Sequence, residues 1–176
     1  MYRQVAPVTT LSVTGGAATA PVFTFALNGI GGTSTLASLF DLYRIEAIRM
    51  TVRPNNNALG LVDPTVTNLV PLYWTIDYND GVALTSASAA TEYDNCMVLS
   101  PGESATRTFR PMYNLVAKSA AGTDYISRSG DWLDTSSEDI IHYGCKFYIP
   151  AGAAVQTFLQ TWTVVSEYFI TLRQVS

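Results

Sequence analysis

Short runs of alternating apolar and polar residues, separated by turn residues, make up most of this chain. In residues 20–27, for example, Phe23 and Phe25 lie on one side, and Val22 and Thr24 lie on the other. A period of two residues is typical of β-strands, and the Gly, Pro and Asn residues between the runs favour turns. The pattern predicts about eight strands, which we place at residues 7–14, 20–27, 43–53, 69–78, 96–99, 104–111, 140–149 and 155–175.

Two of these runs depart from simple alternation. Tyr43 and Ile45 share a parity, but the apolar positions then shift to Ile48 and Met50, which predicts a bulge or burial on both faces. The last run, residues 155–175, would span some 65 Å at the rise of a strand. We therefore expect either two strands or one that bends sharply near Ser166.

Helical patterns are short. Helix-forming residues cluster at 35–42 and 85–93, each enough for about two turns, and residues 113–138 show no regular pattern. No repeat of fixed period occurs, which argues against a propeller or solenoid. The sequence thus predicts an all-β fold, with a sandwich, a jelly roll and a closed barrel as the alternatives.

The composition indicates a folded chain whose surface is largely covered. With 176 residues it suits one domain, and its 48% hydrophobic content excludes intrinsic disorder. Charged residues make up only 14% of the chain, which is unusual for a soluble monomer. The net charge of −4, taken alone, argues against a nucleic-acid-binding domain. No apolar run is long enough to span a membrane, and no signal peptide is visible.

The residue types that carry catalysis or bind metals are sparse. His142 is the only histidine and no Gly-x-Ser-x-Gly motif occurs, so a hydrolase triad is not supported. Cys96 and Cys145 stand far apart and favour two buried free thiols over a disulfide or a metal site. Asp77, Asp80, Asp94 and Asp131 supply oxygen atoms for Ca²⁺, but their spacing matches no calcium loop and favours solvated turns.

Aromatic and basic residues leave two binding hypotheses open. Trp74, Trp132 and Trp162 suit either core packing or sugar binding by a lectin-like module. The ten Lys and Arg residues do not form a basic run, so they indicate either solvated faces and ion pairs or a dispersed surface that contacts phosphates.

One segment carries a resemblance to a known family. Residues 39–54, LFDLYRIEAIRMTVRP, resemble the F-x-x-Y-R-I-x-x-(I/V)-x-(V/F)-x-(F/V)-x-P segment of coat proteins from circoviruses and related circular single-stranded DNA viruses. Residues 161–173, TWTVVSEYFITLR, are similar to the last strand of these proteins. The strand at 72–77, the Ala/Thr-rich insert that ends in Tyr93-Asp94, and the Arg-Thr-Phe-Arg-Pro strand at 107–111 follow the same order. Similar segments occur in coat proteins of small plant RNA viruses.

The resemblance implies an eight-stranded antiparallel jelly roll of two packed four-stranded sheets, with long loops and one or two short helices. It implies a single shell domain over residues 1–176, a structural rather than an enzymatic role, and self-assembly into a small icosahedral shell of about 60 copies (T=1). We expect this shell to enclose a single-stranded genome, without sequence preference, in virions assembled in the host nucleus. No cofactor is expected, with Ca²⁺ between subunits as the minority case. A lectin-like jelly roll is the alternative.

The N-terminus of this chain departs from the pattern of the family. The family begins with a long Arg-rich arm, whereas Met1-Tyr2-Arg3-Gln4 leads here almost directly into the shell domain. We therefore expect the arm to be absent or removed and the remaining contact with nucleic acid to be weak. Arg3 is expected on the inner face by analogy with related shells, and Arg107, Arg110 and Lys146 are further candidates.

The strand pattern also predicts a core and a set of contact surfaces. The core residues are Phe23, Phe25, Ile45, Trp74, Ile76, Phe147, Trp162, Val164, Tyr168 and Ile170. The loops at 29–38, 55–68 and 113–132 are long and low in charge, and we expect them to form contacts between copies and the exterior of the shell.

Overall fold

The computed structural model describes residues 1–13, 16–55, 69–119, 122–152 and 160–175. For 116–119 and 122–125 it describes the backbone alone. Most of the loop predicted at 55–68 and the first residues of the strand predicted at 155–175 lie outside the described residues.

Strands dominate the described part of the chain, which contains twelve of them and three short helical segments. The strands are β1 (Tyr2–Val5), β2 (Thr9–Val13), β3 (Val22–Phe25), β4 (Leu42–Pro54), β5 (Leu72–Thr75), β6 (Met97–Leu99), β7 (Ala105–Phe109), β8 (Met112–Ser119), β9 (Gly122–Arg128), β10 (Leu133–Asp134), β11 (His142–Tyr148) and β12 (Gln160–Arg173). The helices are α1 (Thr33–Leu39), α2 (Ala87–Thr91) and a 3₁₀ turn at Leu27–Gly29. Within the described ranges, no helix is long and apolar enough to cross a membrane.

The strands form two antiparallel sheets of six, each arranged in four columns. In the first sheet, β1 and β2 both pair with β12, β12 pairs with β4, and β4 pairs with β7 and β10. In the second sheet, β3 pairs with β11, β11 pairs with β5 and β8, and these two pair with β6 and β9.

The column order is that of a jelly roll. When the eight columns are numbered along the chain, the first sheet has the order 1-8-3-6 and the second has the order 2-7-4-5, because the chain crosses between the sheets at most connections. The predicted eight-stranded jelly roll of two four-stranded sheets is therefore confirmed. The strands β8, β9 and β10 are additional, and in chain order all three fall between the strands of the sixth and seventh columns.

Local structure differs from the sequence prediction in two places. Residues 113–138 had no regular pattern, yet they contain the β8–β9 hairpin and β10. The last run is one continuous strand from Gln160 to Arg173, not two, and its irregularity lies between Phe169 and Ile170 rather than near Ser166. The two predicted helices are present but shorter, at Thr33–Leu39 and Ala87–Thr91.

The pairing of β4 with β12 organises the first sheet. It runs from Trp162↔Pro54 to Arg173↔Leu42, and its register shifts where Phe169 pairs with Ala47 while Ile170 pairs with Ile45. Glu46 is therefore the extra residue of a bulge on β4, which confirms the change of parity seen in the sequence. The bulge keeps Ile45 and Ile48 on the same buried side of the sheet.

The core lies between the two sheets. Nine of the ten predicted core residues are buried, among them Trp74 at 0% and Trp162 at 1% exposure. Phe23 is half-buried and packs against the edge of the core, where its ring meets Phe147 edge-on at 5.4 Å between centroids. The predicted free thiols are both unpaired, with Cys145 buried and Cys96 half-buried. His142 is also buried, with its ring Nδ1 3.0 Å from the Ile140 carbonyl oxygen.

A buried ion pair anchors the segment that carries α2 to the second sheet. The Lys146 Nζ lies 2.6 Å from Asp77 Oδ2 and 2.5 Å from Asp80 Oδ1, and the Tyr93 hydroxyl donates to the same Asp77 oxygen at 2.8 Å. Burial alone would raise the pKa of Asp77, but hydrogen bonds from Lys146, the Asn79 amide and Tyr93 outweigh it and lower the pKa. Burial alone would lower the pKa of Lys146, but its two carboxylate partners raise it.

Gly144 lies at a point where the two sheets approach each other closely. A Cβ atom at this position would lie 2.5 Å from Phe109 Cε2, and Phe109 is in edge-on contact with Phe25 at 5.6 Å. Gly144→Ala should destabilise the fold by about 1–3 kcal/mol, the usual effect of overpacking, and Phe109→Leu in the same chain should recover part of the loss. Urea unfolding measures both. A Gly144→Ala variant within about 0.5 kcal/mol of the parent would contradict this packing.

Lys146→Met should change how stability depends on pH. In the parent, Asp77 has a lowered pKa, so its contribution is present above pH about 4 and is lost as the pH falls through its folded pKa. Lys146 has a raised pKa, so its contribution is lost only as the pH rises above about 10. Without Lys146, Asp77 is a buried charge without its cation, which costs about 3–5 kcal/mol at pH 7.

Protonation of Asp77 removes that cost. The difference in unfolding free energy between the parent and Lys146→Met should therefore shrink from pH 7 towards pH 4. Urea unfolding across this range measures the difference, and Lys146→Met combined with Asp77→Asn is the control that should remove its pH dependence. A constant difference for the single variant would be inconsistent with an ion pair between Lys146 and Asp77.

Candidate nucleic-acid interface

Six arginines lie on the outward side of the first sheet, which we call the Arg face. The pairing registers place five of them opposite outward-pointing neighbours, and the sixth, Arg110, is placed there by its ion pair with Glu46. They are Arg3 on β1, Arg44, Arg49 and Arg53 on β4, Arg110 directly after β7, and Arg173 at the end of β12. These are six of the ten basic residues in the chain.

The bulge at Glu46 makes this arrangement possible. Arg44 and Arg49 are an odd number of residues apart, and in a regular strand they would point to opposite faces. The extra residue restores the parity, so Arg44 pairs with Thr171 and Arg49 pairs with Glu167 on the same side of β12. The same bulge that keeps the core continuous therefore brings arginines from both ends of β4 to one surface.

Two glutamates hold four of these arginines in clusters. Glu46 Oε1 lies 2.5 Å from Arg44 Nη2 and accepts a hydrogen bond from the Thr171 hydroxyl at 2.8 Å. Glu46 Oε2 lies 3.2 Å from Arg110 Nη2. Glu167 forms ion pairs with Arg3 and, at 3.4 Å, with Arg49. Burial alone would raise the pKa of Glu46, but hydrogen bonds from Thr171 and Arg44 and the charges of Arg44 and Arg110 lower it.

Aromatic rings support two of the arginines. The Arg44 guanidinium carbon lies 4.8 Å from the centre of the Trp132 ring, and that of Arg49 lies 5.2 Å from the Phe169 ring. Such stacking fixes the plane of the guanidinium group. Threonines fill much of the remaining surface, at positions 10, 51, 106, 108, 161, 163 and 171, and their hydroxyl groups also donate hydrogen bonds to phosphates.

The charge on this face is opposite to that of the whole chain. Among the residues that the structure describes, six arginines are offset by Glu46, Glu167 and Asp134, which pairs with Leu42 at the edge of the sheet, leaving a net charge of +3. Because the chain carries −4, the rest of the molecule carries −7. Guanidinium groups bind phosphate through paired N–H donors, so the Arg face is chemically suited to a nucleic-acid backbone.

The structure divides the four predicted contact residues into two pairs. Arg3 and Arg110 lie on the Arg face. Arg107 points inward instead, where its Nη1 donates to the Trp74 carbonyl oxygen at 3.0 Å and its guanidinium lies over the Trp74 ring. Lys146 is 2% exposed and is paired with Asp77 and Asp80, so it cannot reach a phosphate without leaving those partners.

Sequence reasoning missed four arginines of the Arg face as site residues: Arg44, Arg49, Arg53 and Arg173. The signal was present in the change of parity along β4, because a bulge shifts polar positions as well as apolar ones. Combining that bulge with the alternation in β12 would have placed these arginines together.

The calcium and sugar hypotheses gain no support from the geometry. Asp77 and Asp80 already bind the Lys146 ammonium group, and the Asp131 carboxylate accepts a hydrogen bond from the Tyr113 hydroxyl at 2.8 Å. No group of three or more potential metal ligands occurs among the described residues. Trp74 and Trp162 are buried in the core, so neither is available to stack on a sugar.

Known structures share this fold. The BFDV capsid protein crystallised as a 60-mer superposes with a TM-score of 0.71 at 15% identity, covering 98% of this chain and 92% of that one. The decameric BFDV capsid protein gives a TM-score of 0.65 at 17% identity, with 98% of both chains covered. The structure of cucumber necrosis virus gives 0.58 at 20% identity, covering 99% of this chain and 55% of that one. At these identities the likeness establishes the fold.

Family membership rests on the sequence profile. No curated protein matches the chain. The profile of the circovirus capsid protein, however, matches residues 1–176. This match covers the whole chain and agrees with both the jelly-roll column order and the segment at 39–54. The protein therefore belongs to the circovirus capsid protein family.

Proposed function

We propose that this capsid protein assembles into an icosahedral shell of about 60 copies and that the Arg face lines the interior, against a single-stranded nucleic acid. The Arg face carries the proposal, because it concentrates the positive charge of an acidic chain on the outward side of one sheet. The BFDV 60-mer, which has the same fold, supports the copy number. A role in the virion follows from the family, and assembly in the host nucleus is part of the proposal.

The β8–β9 hairpin is the best candidate for a contact between copies. Among the described residues it joins the second sheet through the pairs Tyr113↔His142 and Met112↔Tyr143 at its base. Farther out, Leu115 and Ile126 pair directly across the hairpin and are 42% and 48% exposed. A two-stranded hairpin is marginally stable alone in water, so a neighbouring copy that covers this pair would stabilise it.

A structural role accounts for the chain better than the alternatives. The lectin-like reading relied on tryptophans, of which Trp74 and Trp162 are internal and Trp132 lies against Arg44. An enzymatic reading relied on His142, which is buried against Tyr113 and the Ile140 carbonyl oxygen. Burial lowers the pKa of His142 and so favours the neutral imidazole.

Assembly can be tested at the hairpin. The parent protein should form particles of megadalton mass, seen by light scattering and electron microscopy. Leu115→Asp with Ile126→Asp should reduce particle yield at least tenfold, because two charges buried at a contact are costly to desolvate, while circular dichroism shows a folded subunit. Ile126→Val, which keeps the surface apolar, is the control. Normal yield from the double Asp variant would exclude the hairpin as a contact, whereas failure of the parent to form particles would argue against the shell itself.

Binding of single-stranded DNA should depend on the Arg face and on salt. A net charge of +3 predicts that the logarithm of the binding constant falls with the logarithm of salt concentration with a slope of about −2 for a single strand. Arg49→Gln and Arg53→Gln should each make that slope shallower by about 0.7, as measured by fluorescence anisotropy with a labelled oligothymidine. Arg128→Gln, which removes an exposed arginine on β9, is the matched control. Equal slopes for all three variants would show that the Arg face is not the binding surface.

A further inference from the structure

Each glutamate of the two clusters is placed between two arginines. Glu46 lies between Arg44 and Arg110, and Glu167 lies between Arg3 and Arg49. Glu167, Phe169 and Thr171 occupy alternate positions on β12, and all three point outward. Glu167 and the Thr171 that binds Glu46 are therefore roughly 13 Å apart at the rise of a strand, and the two clusters form separate sites on one surface.

The carboxylates lie beneath the guanidinium groups. The side chains of Glu46 and Glu167 are 16% and 14% exposed, whereas those of Arg3, Arg49 and Arg110 are 59%, 45% and 48% exposed. A phosphate that approaches from solvent meets the arginines first. It must then share N–H donors that the carboxylates already use, because both anions bind guanidinium in the same way.

Part of the arginine geometry does not depend on the glutamates. Arg44 also donates to the Gly130 carbonyl oxygen at 3.4 Å and lies over Trp132, and Arg49 lies over Phe169. Replacing each Glu with Gln keeps an oxygen that accepts hydrogen bonds. Such a change would therefore remove the competing charge while leaving contacts that hold the arginines in place.

We propose that Glu46 and Glu167 compete with phosphate for the arginines of the Arg face. This competition weakens the binding of single-stranded nucleic acid to that face. This inference rests on the proposed function, because it takes the phosphodiester backbone as the ligand of that face. The two glutamates reduce the effective charge from +5 to +3. Each copy then binds its share of the strand weakly, and the strand is held by many exchangeable contacts rather than a few tight ones.

The test is a gain of binding, which a loss of structure cannot imitate. Glu46→Gln with Glu167→Gln should steepen the salt slope for a labelled oligothymidine from about −2 to about −3.5. At low salt each replacement should tighten binding about fivefold, the effect of one unit charge at about 4 Å in water. The matched control is Glu92→Gln with Asp94→Asn, which changes the net charge equally at exposed positions just after α2, over the opposite sheet.

The outcomes separate this inference from the proposed function. A slope and affinity that match the parent in the folded Glu variants, or an equal gain in the control, would overturn the inference even if Arg49→Gln still weakens binding. Failure of Arg49→Gln to weaken binding would instead count against the Arg face itself. The single variants Glu46→Gln and Glu167→Gln lie in separate clusters, and each should steepen the slope by about 0.7, so the test does not require the double variant to fold.

Discussion

The bulge in the pairing of β4 with β12 is the constraint on which both the core and the surface of this protein depend. An unbroken β4 could bury Tyr43 and Ile45 or Ile48 and Met50, but not both sets, because alternate residues face opposite sides. The extra residue at Glu46 satisfies both. It leaves Glu46 and Ala47 unburied in succession, and the same shift puts Arg44 and Arg49 on one face. Hydrophobic burial, the larger energetic term, thus fixes the position of the charged groups.

The net charge of the chain does not describe the charge of each of its faces. A charge of −4 argues against contact with nucleic acid, but the fold sorts the charges by face. Six arginines gather on the first sheet, while Lys146 is enclosed by carboxylates on the second. Because salt screens surface charges beyond about 8–10 Å, a phosphate on the Arg face responds to the local +3 and little to acidic residues on the far side of the domain.

Prediction from sequence succeeded where a feature is local or repeats along a strand. The strand runs, the bulge and nine of the ten core residues followed from the alternation of apolar positions. It failed where the cause lies far away in sequence. Lys146 resembles any exposed lysine on a strand until Asp77, 69 residues away, is placed beside it, and Arg107 resembles Arg110 until the Trp74 carbonyl oxygen is found near it. The β8–β9 hairpin was missed because its apolar residues stand next to each other, as in Leu115-Val116 and Tyr125-Ile126, and so lack the alternation that marks a strand with one buried face.

Ion pairs between a cation and a carboxylate have two different roles in this protein. The extent of their burial determines which role each pair has. Lys146 and Asp77 are both shielded from water, so neither can be exchanged without leaving a buried charge unpaired, and the contact fixes the segment that carries α2. Around Glu46 and Glu167, three of the four arginines remain about half exposed to water, where an ion pair contributes little to stability. Because such a pair is weak, another anion can replace the carboxylate at small cost. Under the proposed function, contacts of the second kind suit a surface that holds a long polyanion through many exchangeable ion pairs.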